Sequence, residues 1–282
     1  LFGFRSVIPS MVHRSLVAAD NALCTQSQRH PDGWGVAYYV DGAPHVMKSA
    51  STALDDHLFH RLSGIVSSNT VVAHVRKATV GANSVLNSHP FQHGRWVLAH
   101  NGTIAGFDEV RPSLIREIAP HLRGFILGDT DSEVVFFLLL TMLQKTRPLS
   151  NQFGVEEVME AMKHAVARIR EVCDGRGGAT SAILTLLVTD GTTLVATRNG
   201  RDLYYSTYKT RCADRDTCSS FAPECEAPST TGFVNHFILS SEPLGGENIW
   251  LEVPEGQVVG VDWRMKVQNR PLTGASLPIV AA

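Results

Sequence analysis

Apolar and polar residues along this chain change texture twice, from a two-residue period to a helical one and back. The β-branched and aromatic run over residues 35–40, the turn dipeptide Asp41-Gly42 and residues 44–48 together predict a β-hairpin. Strands follow at 70–76 and 95–100 on the same two-residue period, and the apolar spacing over 11–23 reads as a helix. The period then lengthens. Leu114, Ile115, Ile118 and Leu122 mark an amphipathic helix over 112–122. Thr130-Asp131-Ser132-Glu133 fits a capping box, and residues 134–143 behind it are apolar on nearly every side, as in a helix buried between layers. Val155, Val158, Met159, Met162, Val166 and Ile169 share one face of a third helix over 155–172. From residue 181 the strand period returns: 183–189, the turn Asp190-Gly191, 192–198, then 203–206, 237–240 and 257–262. Strands, helices and strands again are not the βαβα alternation of a parallel sheet. The order predicts an α+β fold of two antiparallel sheets faced by helices.

Composition narrows the function classes. The 282 residues show no internal repeat, low-complexity block or Pro-rich linker, so 1–282 reads as a single domain with ample core. With 25 Lys and Arg against 27 Asp and Glu, the net charge of -2 disfavours nucleic acid as a partner. The longest nearly apolar run, 134–143, is half the roughly 20 residues of a membrane-spanning helix, so no membrane partner is expected. Five cysteines, an odd and low count, point to a reducing compartment, and a cytoplasmic location is expected. Cys212, Cys218 and Cys225 lack the Cys-x-x-Cys pairs of a zinc site and read as a surface loop with free thiols or one disulfide. Leu1-Phe2-Gly3-Phe4-Arg5 has neither an initiator Met nor a signal-peptide layout, so the natural N-terminus is expected upstream.

Three segments carry candidate chemistry. On the strand Val71-Val72-Ala73-His74-Val75-Arg76, Val72, His74 and Arg76 share one face, and Arg76 enters the polar turn Lys77-Ala78-Thr79-Val80-Gly81. A guanidinium there offers a planar fork to a carboxylate, although an ordinary surface Arg at a strand end is the plainer reading. In Ala99-His100-Asn101-Gly102-Thr103, Asn101-Gly102 reads as a hairpin turn. The same pair can also converge an amide and a backbone N–H on one point, as an oxyanion hole does. In Gly128-Asp129-Thr130-Asp131-Ser132-Glu133, acidic residues suit a helix N-terminus on dipole grounds alone. They are also more acceptors than a cap requires, and Asp131 would be held ionised for a substrate ammonium. His74, His89, His93 and His100 lie close in sequence without the i, i+4 spacing of a zinc motif, so structural histidines are the plainer reading. No Gly-x-Ser-x-Gly elbow occurs.

Taken in order, the Arg-bearing strand, His89-Pro90-Phe91, His100-Asn101-Gly102 and Asp129-Thr130-Asp131-Ser132-Glu133 resemble the glutaminase domain of class II glutamine amidotransferases. The nearer likeness is to small stand-alone members, including those acting on γ-glutamyl compounds in glutathione breakdown and ergothioneine synthesis. These share Asp32-Gly33-Trp34-Gly35-Val36-Ala37-Tyr38-Tyr39, Val72-Ala73-His74-Val75-Arg76 and Ser241-Glu242-Pro243-Leu244. The likeness runs from Leu1 to about Asp262 and fails in the Cys-bearing loop at about 208–231 and in an irregular tail from about 271.

The resemblance implies the N-terminal nucleophile hydrolase fold, a four-layer αββα sandwich, and with it the roles of the segments. Arg76 would hold the substrate α-carboxylate, with Lys77 and Thr79 lending contacts, and Asp131 the α-ammonium. Asn101 and the Gly102 N–H would stabilise the oxyanion, His89 would support the pocket, and Asp32 and Gly33 would shape its wall, an Asp-Gly turn being an equal reading. Family members attack with a Cys at the mature N-terminus whose own α-amine is the base. That Cys is expected two residues before Leu1, either omitted from this sequence or missing from a non-catalytic form. Cys24 is internal, has no free α-amine and is no substitute. The implied activity is cleavage of the γ-amide of glutamine or a γ-glutamyl compound through a thioester, with no metal or organic cofactor. Any acceptor chemistry would sit on a partner enzyme. The alternatives are a non-catalytic γ-glutamyl-binding module or scaffold, and a metal-dependent hydrolase built on the histidines.

Overall fold

The computed structural model describes residues 1–174 and 182–272. Strand β1 (Phe2–Met11) leads through one π-type turn (Arg14–Ala18) to the short helix α1 (Leu23–Gln26). The hairpin β2 (Trp34–Val40) and β3 (Ala43–Ser49), helix α2 (His57–Ile65) and strand β4 (Ser67–Val75) follow. Next come β5 (Phe91–His93) and β6 (Trp96–Ile104), then helices α3 (Phe107–Glu117), α4 (Pro120–Arg123), α5 (Asp131–Gln144) and α6 (Val155–Asp174). Seven strands close the chain: β7 (Ala182–Thr189), β8 (Leu194–Thr197), β9 (Tyr204–Ser206), β10 (His236–Ser240), β11 (Leu251–Glu252), β12 (Gln257–Val261) and β13 (Gln268–Pro271).

The strands form two sheets, ordered β11-β9-β10-β1-β4-β2-β3 and β13-β12-β8-β7-β6-β5, with every pairing antiparallel. Three apolar clusters explain the stacking. One joins Phe2, Phe4, Trp34 and Val71 of the first sheet to Leu23, Phe59 and Leu62 of α1 and α2. A second lies between the sheets, where Leu1, Ala37 and Val72 meet Val97, Ala99 and Leu187. The third packs Leu98, Leu184 and Leu186 of the second sheet under α3, α5 and α6. Three interfaces require four layers, so the molecule is the αββα sandwich. Both faces of β4 are therefore buried, which is why 71–73 reads as an unbroken apolar run. The sheets come close enough that a Cβ on Gly3 would lie 2.3 Å from a methyl of Leu187.

Two predicted helices are corrected. Residues 11–23 are not one helix: β1 runs to Met11, and the chain is extended at Ala19 and Ala22 around Asp20-Asn21. Val12 just past β1, Leu16 in the turn and Leu23 at the helix start reach one cluster, so helical spacing imitated a continuous face. The 112–122 helix instead begins at Phe107 and ends at Glu117, with Pro112 inside it and α4 after a break. Burial of Phe107, Val110 and Leu114 outweighs the preference of Pro for a first turn. Helix α2, capped by Asp56 accepting from the Leu58 N–H at 2.8 Å, was missed altogether. The 208–231 segment is largely irregular, with a 3-10 turn at Pro223–Cys225, and its three cysteines are free. Of the expected tail, β13 occupies the start, and residues 273–282 lie outside the described residues. Among the described residues no helix is long and apolar enough to cross a membrane.

Candidate active site

The site begins where β4 runs out. Val72, His74 and Arg76 point between the sheets, so Arg76, one residue past the strand, delivers its side chain to the open end of that interface. Its backbone is clamped, with the N–H donating to Gly33 O at 2.7 Å and the carbonyl accepting from Asp32 N–H at 3.0 Å. The guanidinium is buried and donates to the carbonyls of Val80 at 2.9 Å, Gly81 at 3.3 Å and Ala82 at 3.4 Å. The turn after the strand thus aims its own Arg. Burial lowers the Arg76 pKa, while the charges of Asp32 and Asp131 favour its cation.

Strand β6 forms the opposite wall. On β7 the Leu184 N–H donates to Asn199 O at 2.9 Å, so the polar backbone of Leu184 faces β8. Its register partner Gly102 then points its N–H to the other edge of β6, because backbone direction alternates along an antiparallel ladder. Ile104, two residues on, obeys the same alternation: its N–H leaves the sheet and donates to Asp131 Oδ2 at 2.7 Å. Strand β5 covers that edge only at Trp96, Val97 and Leu98, so among the described residues no strand pairs with the Gly102 N–H. A side chain at 102 is excluded, since a Cβ would lie 2.0 Å from Ile183 O and 2.4 Å from His100 Nε2. Asn101 shares the inward face of Val97 and Ala99 on β6, and among the described residues its amide makes no hydrogen bond.

The third wall is the start of α5. Thr130 caps the helix, its hydroxyl accepting from Glu133 N–H at 3.3 Å. Asp131 is buried and accepts from Ile104 N–H at 2.7 Å and Ser132 N–H at 2.8 Å. His100 completes the frame: Nε2 donates to Ile183 O at 2.9 Å, and Nδ1 lies 2.9 Å from Ser132 Oγ, a hydroxyl that also reaches Asp131 Oδ1 at 3.2 Å. Two carboxylate oxygens hold more lone pairs than these bonds use, so Asp131 retains capacity for an ammonium. The helix dipole favours its charge.

These walls enclose a cavity of about 350 Å³ that is lined by Arg76, Lys77, Thr79, His89, Asn101, Gly102 and Asp131, together with Leu1. All seven predicted site residues therefore meet in one place. Its floor is buried and its mouth exposed: Arg76, Asp131, His74 and His89 lie deep, Asn101 and Gly102 are half-buried, and Lys77 and Thr79 stand at the rim. The His74 and His89 rings pack at 4.3 Å, and neither nitrogen of His89 nor Nδ1 of His74 has a partner among the described residues. Burial, then neighbouring charge, holds both well below the usual histidine range, so both are neutral at pH 7.

Other candidates go elsewhere. Asp32 and Gly33 do not line the cavity; the Asp32 carboxylate accepts from Ala78 N–H at 2.8 Å and braces the Arg76 turn from behind. Cys24 lies in α1 with Sγ 3.7 Å from His60 Nε2, and burial, then Asp55, pushes its thiol pKa up. His93 packs on Phe125 and Phe137, and among the described residues no three His, Cys, Asp or Glu side chains group as a metal site. Sequence reasoning missed Gln26, His30, Arg201 and Asp202, which also line the cavity, because each arrives from a segment with no local signal. Glu242 was quoted only within a shared motif; it faces the cavity while paired with Arg29 at 2.7 Å and Asn21 at 3.1 Å.

The family model for class II glutamine amidotransferases matches residues 8–268. A probable glutamine amidotransferase of Saccharomyces cerevisiae, DUG3, is 32% identical over 181 residues, which is 59% of this chain and 51% of that protein. A gamma-glutamyl-hercynylcysteine sulfoxide hydrolase of Mycobacterium tuberculosis is 39% identical over 74 residues, 26% of this chain and 32% of that protein. The matches thus span about half the length of the first relative and a third of the second. A glutamine aminotransferase class-II domain protein from Silicibacter pomeroyi shares the fold, with a TM-score of 0.66 at 21% identity over 96% of this chain and 97% of that one. The chain belongs to the class II glutamine amidotransferase family.

Proposed function

We propose that this protein is an amidohydrolase that cleaves the γ-amide of glutamine or of a γ-glutamyl compound through an N-terminal Cys preceding Leu1. The convergence of Arg76, Asp131, Asn101 and Gly102 on the cavity that Leu1 also lines carries this reading. The Arg76 fork pairs with the substrate α-carboxylate and Asp131 with its α-ammonium, fixing both charged ends of a glutamyl group. Lys77 and Thr79 add contacts from the rim and His89 supports the pocket. With the head group anchored, the γ-carbonyl reaches Asn101 and Gly102.

The Cys thiolate, its proton taken by the α-amine, attacks that carbonyl. The Asn101 amide and the Gly102 N–H stabilise the resulting oxyanion. Collapse breaks the C–N bond, and the amine leaves with the proton returned by the α-ammonium. Water then cleaves the thioester by the same base, giving glutamate and regenerating the thiol. The names of the yeast and mycobacterial relatives support both choices of substrate, glutamine and γ-glutamyl amide. A partner enzyme could take up the released ammonia or amine.

Incubating the natural full-length protein with a glutamine analogue that carries an electrophilic side chain tests this. One adduct on the N-terminal peptide, with loss of glutamate release from γ-glutamyl amides, is expected. Absence of both adduct and glutamate release would leave a γ-glutamyl-binding module in its place.

A further inference from the structure

Charge bookkeeping around the cavity leaves a surplus. Glu242 is matched by Arg29 at 2.7 Å, and Asp202 turns to Arg198 at 2.8 Å. Asp131 is reserved for the substrate ammonium and Arg76 for its carboxylate. Lys77 and Arg201 remain: both line the cavity, both are exposed, and among the described residues neither side chain meets a carboxylate. His30 beside them is held below the usual histidine range by burial, so it adds no charge at pH 7.

The position of Arg201 is set by the oxyanion strand. Thr185 on β7 is the register partner of Asn101 on β6. The Thr185 hydroxyl accepts from Arg201 N–H at 3.1 Å and donates to Arg201 O at 3.0 Å, fixing the Arg201 backbone one strand from Asn101. Exposure rises from Arg76 and Asp131 through Asn101 and Gly102 to Lys77 and Arg201. A glutamyl group bound as above has its charged end at the floor and its amide nitrogen toward the mouth.

We infer that Arg201, with Lys77, is a specificity device that binds a carboxylate on the leaving amine, so that the preferred substrates are γ-glutamyl amino acids or peptides rather than glutamine. The inference rests on the γ-glutamyl reading of the same cavity. A free carboxylate near two cations gains charge-assisted hydrogen bonds that a primary amide lacks. Glutamine, whose leaving group is ammonia, offers no second carboxylate to Arg201 or Lys77.

The test compares γ-glutamylglycine with γ-glutamylglycinamide on the natural full-length protein, reading glutamate release and titration calorimetry side by side at low and high salt. The free acid is expected to be favoured about tenfold in kcat/KM or in affinity. That preference should shrink as salt rises, and should fall severalfold in Arg201→Gln, with turnover of the free acid reduced more than turnover of glutamine. Equal handling of acid and amide, or a preference that survives undiminished in Arg201→Gln, overturns the inference and leaves the hydrolase reading intact. Preferential binding of the acid without glutamate release overturns the hydrolase reading and sustains this one. Binding of neither compound sinks both.

Discussion

The two charged grips of the cavity are built differently. Asp131 stands on regular structure, with one oxygen held by the N–H that ends β6 and the other by the first turn of α5. Arg76 stands on a turn, its guanidinium held by the carbonyls of Val80, Gly81 and Ala82, two of which belong to exposed residues. The ammonium side is therefore part of the fold, whereas the carboxylate side depends on a local loop. Loss of Asp131 should disturb packing and binding together, and loss of Arg76 binding almost alone.

Replacing Asp131 by Ala sharpens this contrast most. It removes the ammonium contact and strands the buried Ile104 N–H, so a fall in kcat/KM of about a thousandfold should accompany about 1–3 kcal/mol of lost stability in urea. Arg76→Ala should cost about a hundredfold in kcat/KM with a smaller stability change, because water can reach the freed loop carbonyls. If the two variants lose stability equally, the contrast between the walls is wrong. Gly102→Ala forces a methyl against Ile183 O and His100 Nε2; a loss of about 1–3 kcal/mol and a lowered melting temperature are expected, with kcat reduced more than KM is raised.

A smaller effect is carried by pH. His74 and His89 have folded pKa values below their unfolded ones, so the unfolded chain binds more protons as pH falls. Stability is then full above about 6.5 and declines below it, by up to about 1.4 kcal/mol per pH unit for each ring. Urea unfolding between pH 7 and pH 5 should show this slope, and His89→Gln should flatten it. Ser132→Ala, which removes one partner of His100 and leaves both carboxylate anchors from the backbone, should cost only about 1 kcal/mol and little activity.

The same contrast marks what could be read from the chain alone. Segments whose chemistry and position coincide were legible: Arg76 directly follows a strand rich in β-branched residues, and Asp131 opens a helix with a capping signature. The long helices α5 and α6 were visible because their apolar character is continuous, whereas the ten-residue strand β1 was not anticipated. Residues 11–23 misled because side chains from just past a strand, from a turn and from a short helix meet one cluster with helical spacing. Edge strands such as β11, of two residues, carry too few side chains to show a period. Gln26 and His30 reach the cavity from the end of α1 and the turn after it, and Arg201 from the segment between β8 and β9; the packing that brings them together is absent from any local window. For Asp32 the pocket wall and a plain turn stayed equally open, because an acidic residue beside a glycine gives no hint whether it faces the cavity or braces the turn behind it.

The most direct test is a crystal structure of the protein with L-glutamate. The account predicts the α-carboxylate paired with the Arg76 guanidinium and the α-ammonium on Asp131, each at about 2.7–2.9 Å, with the side-chain carboxylate directed to Asn101 and Gly102. Glutamate bound elsewhere, or in this cavity with its two ends exchanged, would contradict it.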